Sequence, residues 1–372
     1  MRITDVEALH IRYPLPKDFR PAWHPGETMK EFDFVIVKVH TDADIVGVGC
    51  GGDSCIEVKV SVERLKQCLI GIDPFSVERI ARLLDNSAYE YGPSLGCVEI
   101  AFWDIIGKAC GEPVSRLLGG YQNRVKAYAS TGECKSAETI VKEVESYVNE
   151  GFKAVKLKFH NPNPLEDIRL VQAIRDTVGD KIEILADANQ SAPPSEPYWT
   201  YEMALKIARR LEKLDVVFLE EPLFIEDHEG LSKLASAVDI PIAGGENERR
   251  VHRFRQLLEK GCFDIVQPDV VYTGVLNAKK IASLAEAYNR LCVPHTWNSG
   301  GLGLLANLQL VCAISNCPYL EYPYDKSGWT IEARDALLKE PVPIKDGYVD
   351  VPSKPGLGID LNEEAVQRYL VS

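Results

Sequence analysis

Hydrophobic and polar residues alternate along the first 50 residues, which is the pattern of half-buried β-strands. One such run is RITDVEALHIRYPL, and FDFVIVKVHTDADIVGVGCGG contains two more strands around a turn near residues 42–44. The stretch between them, RPAWHPGETMKEF, predicts a loop that carries Trp23 and His24. From residue 56 to residue 120 the apolar positions recur at helical spacing, and a glycine follows each segment. These patterns predict an α+β domain at the N-terminal end.

From about residue 125 the pattern changes to strands that alternate with helices. Eight strand candidates follow in order: VKAYAST, KAVKLKF, IEILADAN, DVVFLEEP, PIAGGEN, FDIVQPD, CVPHTW and YLEYP. Their starts recur at intervals of roughly 25 to 30 residues, which is the length of one β/α unit. Eight such units predict a (β/α)8 barrel of the TIM type. A doubly wound open sheet is the alternative, but the first strand is not followed by the glycine-rich fingerprint of a dinucleotide fold.

The change of pattern divides the 372 residues into three parts. We expect the α+β domain over residues 1–123, the barrel over residues 124–325, and a C-terminal segment over residues 326–372. That segment contains GYVDVPSKPGLGIDLNEEAV, whose short alternating runs return to the N-terminal pattern. We therefore expect it to pack back onto the N-terminal domain.

The composition narrows the classes of partner. The formal net charge of −13 argues against nucleic acid and anionic membranes, but a local basic site can still bind a small anion. The chain shows no apolar run long enough for a signal peptide or a membrane span, so we expect a cytoplasmic protein. The ten cysteines are scattered without a CxxC pair, which favours free thiols over disulfides or zinc ligands.

Seven consecutive barrel strands, the second to the eighth, carry acidic or basic residues at their ends. Because the carboxyl ends of barrel strands form the active-site face, we expect these side chains to meet there. Asp187, Glu220 and Glu246 end three adjacent strands and would repel one another unless a cation lay between them. Three carboxylate ligands with open positions suit Mg²⁺. Each acid taken singly could instead be a surface residue or a helix cap.

Two basic groups are predicted on the two sides of this cluster. Asp269 and His295 end neighbouring strands, so a carboxylate–imidazole hydrogen bond is expected, although His295 could be an ordinary core histidine. The alternation in KAVKLKFH places Lys156 and Lys158 on one face of a buried strand, where they need an anion. A second lysine and a nearby metal would each lower the pKa of a lysine and make it a base, although salt bridges to the barrel's acids are the alternative. A base on each side of a metal suits proton abstraction next to a carboxylate.

The ordered set KLK, LADAN, FLEEP, GGEN, QPD, PHTW and LEYP resembles the enolase superfamily, and within it the mandelate racemase subgroup, over nearly the whole chain. The resemblance implies a modified (β/α)8 barrel whose mouth is covered by an α+β capping domain, completed by the C-terminal segment. It also implies one Mg²⁺ per subunit bound by Asp187, Glu220 and Glu246, with Glu221 behind Glu220. The subgroup is commonly octameric, so we expect a homo-oligomer.

The resemblance also implies roles for the remaining residues at the strand ends. Lys158 is the base on one face of the substrate, and His295, supported by Asp269, acts on the other. Lys156 neutralises one oxygen of the substrate carboxylate and helps to lower the pKa of Lys158. Glu321 hydrogen-bonds the other oxygen in a protonated or proton-sharing form.

We expect the substrate to be an acid sugar, a small hydroxylated carboxylate. The predicted contacts to its hydroxyl groups are Trp23 and His24 in the N-terminal loop, Asn189, and Asn298 in WNSG. The preferred reaction is dehydration of an aldonate or aldarate to a 2-keto-3-deoxy acid. Cycloisomerisation of a sugar lactone, or racemisation or epimerisation, uses the same site and is the alternative. A non-catalytic carboxylate-binding protein is a more remote third reading.

Overall fold

A computed structural model describes residues 1–51, 55–91, 95–192, 198–297 and 299–371. Its N-terminal domain begins with a three-stranded antiparallel sheet in the order β1-β2-β3. The elements of this domain are β1 (Ile3–Phe19), β2 (Met29–Thr41), β3 (Val46–Gly51), α1 (Cys55–Leu69), α2 (Val77–Tyr91), α3 (Gly96–Cys110) and α4 (Val114–Leu117). The strands, the turn at residues 42–44 and the helices that follow agree with the sequence pattern.

Both faces of this small sheet are buried. Along β2, Val35, Val37 and Val39 pack with the helices of the N-terminal domain, whereas Phe34 and Ile36 belong to the core that includes the barrel. Because side chains alternate between the two faces of a strand, one set packs against the helices of this domain and the other set faces the barrel. The sheet is therefore the middle layer between the domain's own helices and the barrel.

Two glycines let β3 lie directly against α3. A Cβ atom at Gly47 would lie 2.1 Å from the carbonyl oxygen of Ala101, and one at Gly49 would lie 1.9 Å from that of Cys97. Both distances are far below van der Waals contact, so only a residue without a side chain fits.

The second domain is a curled sheet of eight parallel strands with helices outside. Its strands are β4 (Arg124–Ser130), β5 (Ala154–Lys158), β6 (Glu183–Asp187), β7 (Val216–Glu220), β8 (Ile242–Gly244), β9 (Ile265–Val266), β10 (Leu291–Cys292) and β11 (Tyr319–Pro323). Its helices are α5 (Ala137–Asn149), α6 (Pro164–Val178) with a 3₁₀ turn (Gly179–Lys181), α7 (Tyr201–Glu212), α8 (His228–Ala237), α9 (Val251–Lys260), α10 (Val270–Thr273), α11 (Val275–Ala287) and α12 (Gly300–Val311).

The strand order identifies the sheet as a modified TIM barrel. The strands follow one another in sequence order from β4 to β10, and β11 pairs in parallel with β4, which returns the end of the sheet to its beginning. All eight predicted strands are present. A doubly wound open sheet would have a strand order that reverses partway, which this sheet does not show, so that alternative is wrong. The helices outside are amphipathic: in α7, Ala204, Ile207, Ala208 and Leu211 are buried at helical spacing.

The C-terminal segment contacts both domains. It contains α13 (Ile331–Arg334), β12 (Tyr348–Asp350) and α14 (Glu363–Tyr369). As predicted, it returns to the N-terminal domain, where the amide of Val371 donates to the carbonyl of His10 at 2.9 Å. One feature was not predicted: β12 pairs antiparallel with β4 and adds a strand beside the barrel sheet.

Two smaller expectations can be compared with the structure. All ten cysteines are free, and seven of them are buried, as their scattered spacing indicated. Among the described residues, each helix is too short or too polar to cross a lipid bilayer.

Replacing Gly49 with alanine should lower the free energy of unfolding by at least about 2 kcal/mol, because the new methyl group would overlap the backbone of α3. Urea denaturation of wild type and variant measures the difference. Gly51→Ala is the matched control: its Cβ would lie 3.3 Å from the Cβ of Cys97, a contact that a small shift relieves. Equal stability of the two variants would contradict the proposed close approach.

Candidate active site

Three carboxylates converge at the carboxyl ends of β6, β7 and β8. One oxygen each from Asp187, Glu220 and Glu246 lies within 4.8 Å of the others. Asp187 and Glu220 are opposite each other in the register of β6 and β7, and both are fully buried. Glu246 lies two residues beyond β8 and faces the cavity described below. The parallel register therefore produces the cluster that the strand ends predicted.

The chemistry of these three donors fits a hard divalent cation. Burial and the neighbouring Asp187 raise the pKa of Glu220 to about 8, which shows that the site disfavours more negative charge. Oε2 of Glu246 is buried and accepts no hydrogen bond from any described residue. Oxygen ligands from three carboxylates are those that Mg²⁺ prefers.

The two lysines of β5 make different contacts. Nζ of Lys156 lies 2.8 Å from Oε1 of Glu220 and 2.7 Å from Oε1 of Glu321. Nζ of Lys158 lies 2.5 Å from Oδ2 of Asp187. Burial would lower the pKa of Lys158, but the charge of Asp187 raises it above the ordinary value. This differs from the expected lowering, because Asp187 outweighs the repulsion from Lys156.

The predicted pair of Asp269 and His295 is present. Nδ1 of His295 lies 3.0 Å from Oδ2 of Asp269, and because a carboxylate only accepts, Nδ1 donates. Nε2 then faces Glu246, whose Oε2 is 3.5 Å away. Burial alone would lower the pKa of His295, but Glu246, Glu321 and Asp269 raise it to about 10. The imidazole is therefore a proton donor in this arrangement.

Glu321 lies at the end of β11 beneath the cavity. It accepts hydrogen bonds from Oγ of Ser130 at 2.7 Å and from the amide of Thr296 at 2.8 Å, in addition to its contact with Lys156. Burial would raise its pKa, but Lys156 and His295 lower it. Three donors thus surround this carboxylate, and a protonated or proton-sharing form of Glu321 stays a prediction.

A cavity of about 270 Å³ lies over these groups. Its lining is formed by both domains and consists of Trp23, His24, Lys158, Asn189, Ala192, Glu221, Glu246, Asn247, Tyr272, His295 and Trp297. The predicted substrate residues Trp23, His24 and Asn189 are thus at the cavity. Lys156 and Glu321 lie below the lining, so their contact with substrate stays a prediction, and Asn298 lies outside the described residues.

Backbone contacts hold the N-terminal loop over the barrel. The amide of Ala22 donates to the carbonyl of Gly132, and the amide of Cys134 donates to that of Arg20, both at 2.9 Å. The ring of Trp23 is then 5.5 Å from Nζ of Lys158. The capping domain therefore supplies one wall of the cavity.

Two residues at the strand ends have strained backbones. Asn189 has φ of 46° and Glu221 has φ of 47°, both in the left-handed region that side chains disfavour. Asn189 also donates from its backbone to Oδ1 of Asp187 and from its side chain to Oδ2. A strained backbone conformation persists only where many surrounding contacts hold it in place, and such positions are frequent at functional sites.

Several supporting residues were not assigned a role from the sequence. Gln267 donates to Oε2 of Glu220 at 2.9 Å, and Asn307 donates to Oδ1 of Asp269 at 3.1 Å. Ser130 and Thr296, described above, hold Glu321. Asn307 could have been found because it is a polar residue within the apolar run LLANLQL.

Sequence comparison places this site in a known family. The profile described as "Mandelate racemase / muconate lactonizing enzyme, N-terminal domain" matches residues 9–119, and the one described as "Enolase C-terminal domain-like" matches residues 139–365. The chain belongs to the enolase superfamily, in its mandelate racemase subgroup.

Individual relatives agree with this along their full length. Arabinonate dehydratase of Saccharolobus solfataricus is 32% identical, and D-galactarolactone cycloisomerase of Agrobacterium fabrum is 31% identical, each match covering 99% of this chain and 99% of the relative. A crystal structure of a variant of L-talarate/galactarate dehydratase liganded with Mg and L-glucarate has a TM-score of 0.85 at 26% identity, covering 100% of this chain and 92% of that one. The relatives of this chain thus include acid-sugar dehydratases and cycloisomerases.

Magnesium should raise the melting temperature of this protein. A concentration about 100-fold above the dissociation constant stabilises the folded state by about 2.7 kcal/mol, which corresponds to several degrees. Glu246→Gln keeps the shape of the side chain but removes a charged ligand, so its melting temperature should respond far less to MgCl₂. Differential scanning fluorimetry in EDTA and in MgCl₂, with NaCl at equal ionic strength, measures both.

Glu340→Gln is the control for a general loss of negative charge, because Glu340 is an exposed acid far along the chain from the cluster. It should keep the full magnesium response. An unchanged response in Glu246→Gln would show that the cation binds elsewhere.

Proposed function

We propose that this protein is a magnesium-dependent acid-sugar dehydratase. It would remove the proton next to the carboxylate of an aldonate or aldarate, together with the β-hydroxyl group, and release a 2-keto-3-deoxy acid. One observation carries the proposal. Lys158 and His295, each paired with its own aspartate, line the same cavity beside Glu246.

Asp187, Glu220 and Glu246 would hold one Mg²⁺ per subunit. When bound, the cation supplies positive charge that stabilises negative charge on the substrate carboxylate. Lys158 must be neutral to accept a proton, yet Asp187 raises its pKa in this structure. A cation held by Asp187 would offset its negative charge, lower the pKa of Lys158 and so allow Lys158 to act as the base.

In the proposed reaction, Nζ of Lys158 takes the proton from the carbon next to the carboxylate. The electron pair of the broken C–H bond moves into the carboxylate and gives an enediolate, to which buried Lys156 adds nearby positive charge. Nε2 of His295 gives its proton to the β-hydroxyl group, which leaves as water while the electron pair forms a carbon–carbon double bond. The resulting enol tautomerises to the 2-keto acid.

The polar lining supports a hydroxylated substrate. Asn189, Asn247, His24 and Tyr272 bring amide, imidazole and phenol groups to one cavity. Such groups can hydrogen-bond hydroxyls, which an aliphatic or aromatic substrate lacks. The names of the relatives, which include arabinonate, D-xylonate and D-galactonate dehydratases, support the same class.

A sugar-lactone cycloisomerase or an epimerase is the second candidate. The cycloisomerase of Agrobacterium fabrum is nearly as similar as the arabinonate dehydratase, at 31% against 32% identity. Both reactions begin with the same proton removal and need a second group on the other face. A non-catalytic carboxylate-binding protein has no need of two cavity-lining bases with carboxylate partners, and this disfavours it.

Proton exchange tests the proposal. Aldonic and aldaric acids are incubated with the protein in D₂O and MgCl₂, and the hydrogen next to the carboxylate is followed by NMR. At least one acid should exchange that hydrogen and give a product that semicarbazide traps as a 2-keto acid. Exchange without a trapped product would favour the isomerase, and absence of exchange across the panel would refute both enzyme proposals.

His295→Asn separates the two proposed roles. Dehydration should fall by about 10²- to 10⁴-fold, the usual contribution of a general acid. Exchange of the α-hydrogen should persist, because Lys158 is intact. His252→Asn is the control, since His252 is exposed on α9, and it should retain activity. Full dehydratase activity in His295→Asn would exclude its role as the acid.

A further inference from the structure

Among the described residues that line the cavity, each basic side chain lies beside an acidic one. We propose that this site takes acid sugars with one carboxylate and a neutral, hydroxylated far end, the aldonates, and discriminates against diacids, the aldarates. This inference rests on the proposed function, because it assumes that the first carboxylate binds at the Asp187–Glu220–Glu246 cluster.

Each basic side chain of the lining already has an acidic neighbour. Within the described residues that line the cavity, they are Lys158, His295 and His24. Lys158 and His295 are the two proposed reacting groups, each beside an aspartate. His24 is half exposed, and its Nδ1 lies 4.0 Å from Oε1 of Glu27. The rest of the lining is neutral or acidic.

Residues outside the described ranges cannot supply the missing charge. By sequence they are GDS at 52–54, GPS at 92–94, PPSEP at 193–197, Asn298 and Ser372. These segments contain no lysine, arginine or histidine, and they do contain two acids. The lack of a free cation is thus a property of the described residues that line the cavity, and the segments outside the described ranges add no basic residue to the chain.

One arginine lies near the cavity but does not belong to its lining. The guanidinium of exposed Arg249 is 5.3 Å from the ring centroid of Tyr272, which lines both this cavity and an adjoining smaller one. Arg249 lines only the smaller cavity, together with Asp85 and Glu99.

The balance of charge gives the same conclusion. Three basic groups, Lys156, Lys158 and His295, stand among six carboxyl groups: Asp187, Glu220, Glu221, Glu246, Asp269 and Glu321. A second carboxylate in this cavity would be repelled and would have no partner.

Two buried oxygens on the lining also require hydrogen-bond donors. Oδ1 of Asn189 and Oε1 of Glu221 receive no hydrogen bond from any described residue. The orientation of the Asn189 amide is determined, because its Nδ2 donates to the carboxylate of Asp187. A hydroxyl group can donate to either oxygen, whereas a carboxylate only accepts. Unpaired buried acceptors therefore favour a substrate that carries hydroxyl groups beside this cluster.

The test compares the aldonate and the aldarate of the same sugar, which differ only in whether the last carbon is CH₂OH or carboxylate. For the best pairs in a panel, kcat/KM in MgCl₂ should favour the aldonate by at least about 100-fold. Binding is measured separately by calorimetry with the magnesium-loaded His295→Asn variant, which should show the same preference. Equal or better kcat/KM or affinity for aldarates would overturn the proposal.

The two measurements distinguish this proposal from the proposed function. If no acid sugar reacts but aldonates bind more tightly than aldarates, the dehydratase proposal fails and the preference for one carboxylate stands. If no compound of either class binds, both fail. If aldarates react well, only the preference fails.

Two variants test the cause of the preference. His24→Arg should reduce the aldonate-to-aldarate ratio of kcat/KM by about 10-fold or more, because it adds a cation to the lining. His24→Gln, the neutral control, should leave aldarates poor substrates. Arg249→Gln should not change the ratio, since Arg249 lines the adjoining smaller cavity and not this one. An unchanged ratio in His24→Arg, or a changed one in Arg249→Gln, would contradict the charge argument.

Discussion

The structure depends on how buried charge is balanced at one end of the barrel. Lys156 is fully buried on β5, and its ammonium group contacts Glu220 on β7 and Glu321 on β11. These two strands lie two places away from β5 on opposite sides. Removing one partner of such a buried pair leaves an uncompensated charge, which costs several kcal/mol. This lysine therefore ties together the acids on which the proposed chemistry depends.

A second buried carboxylate connects the barrel to its cap. Asp325, just beyond β11, accepts from the amides of Gly132 and Glu133 at 3.1 Å and from Nζ of Lys135 at 2.5 Å. The segment that contains Gly132 and Glu133 also forms backbone hydrogen bonds with the loop that carries Trp23. The position of one cavity wall in the N-terminal domain thus depends on an acid at the opposite end of the sequence.

Much of the fold and site could be predicted because both rest on local periodicity. Strand alternation and β/α spacing located all eight barrel strands, and parallel strands bring their carboxyl ends together, so the carboxylate cluster and the Asp269–His295 pair followed. Properties set by distant neighbours could not be predicted in this way. The pairing of β12 with β4, the raised pKa of Lys158 and the lowered pKa of Glu321 each depend on a partner that spacing alone does not identify.

The barrel strands are unequal in length around the sheet. β5, β6 and β7 have five residues each, whereas β8 has three, and β9 and β10 have two. Lys158, Asp187 and Glu220 are therefore within regular strands, while Glu246, Asp269 and His295 lie on the loops beyond shorter ones. Loops accept substitutions and insertions more readily than strands do. In evolution, such a barrel can keep its proposed base and two of its proposed ligands constant while the opposite half diversifies, so that new reactions arise from one inherited first step.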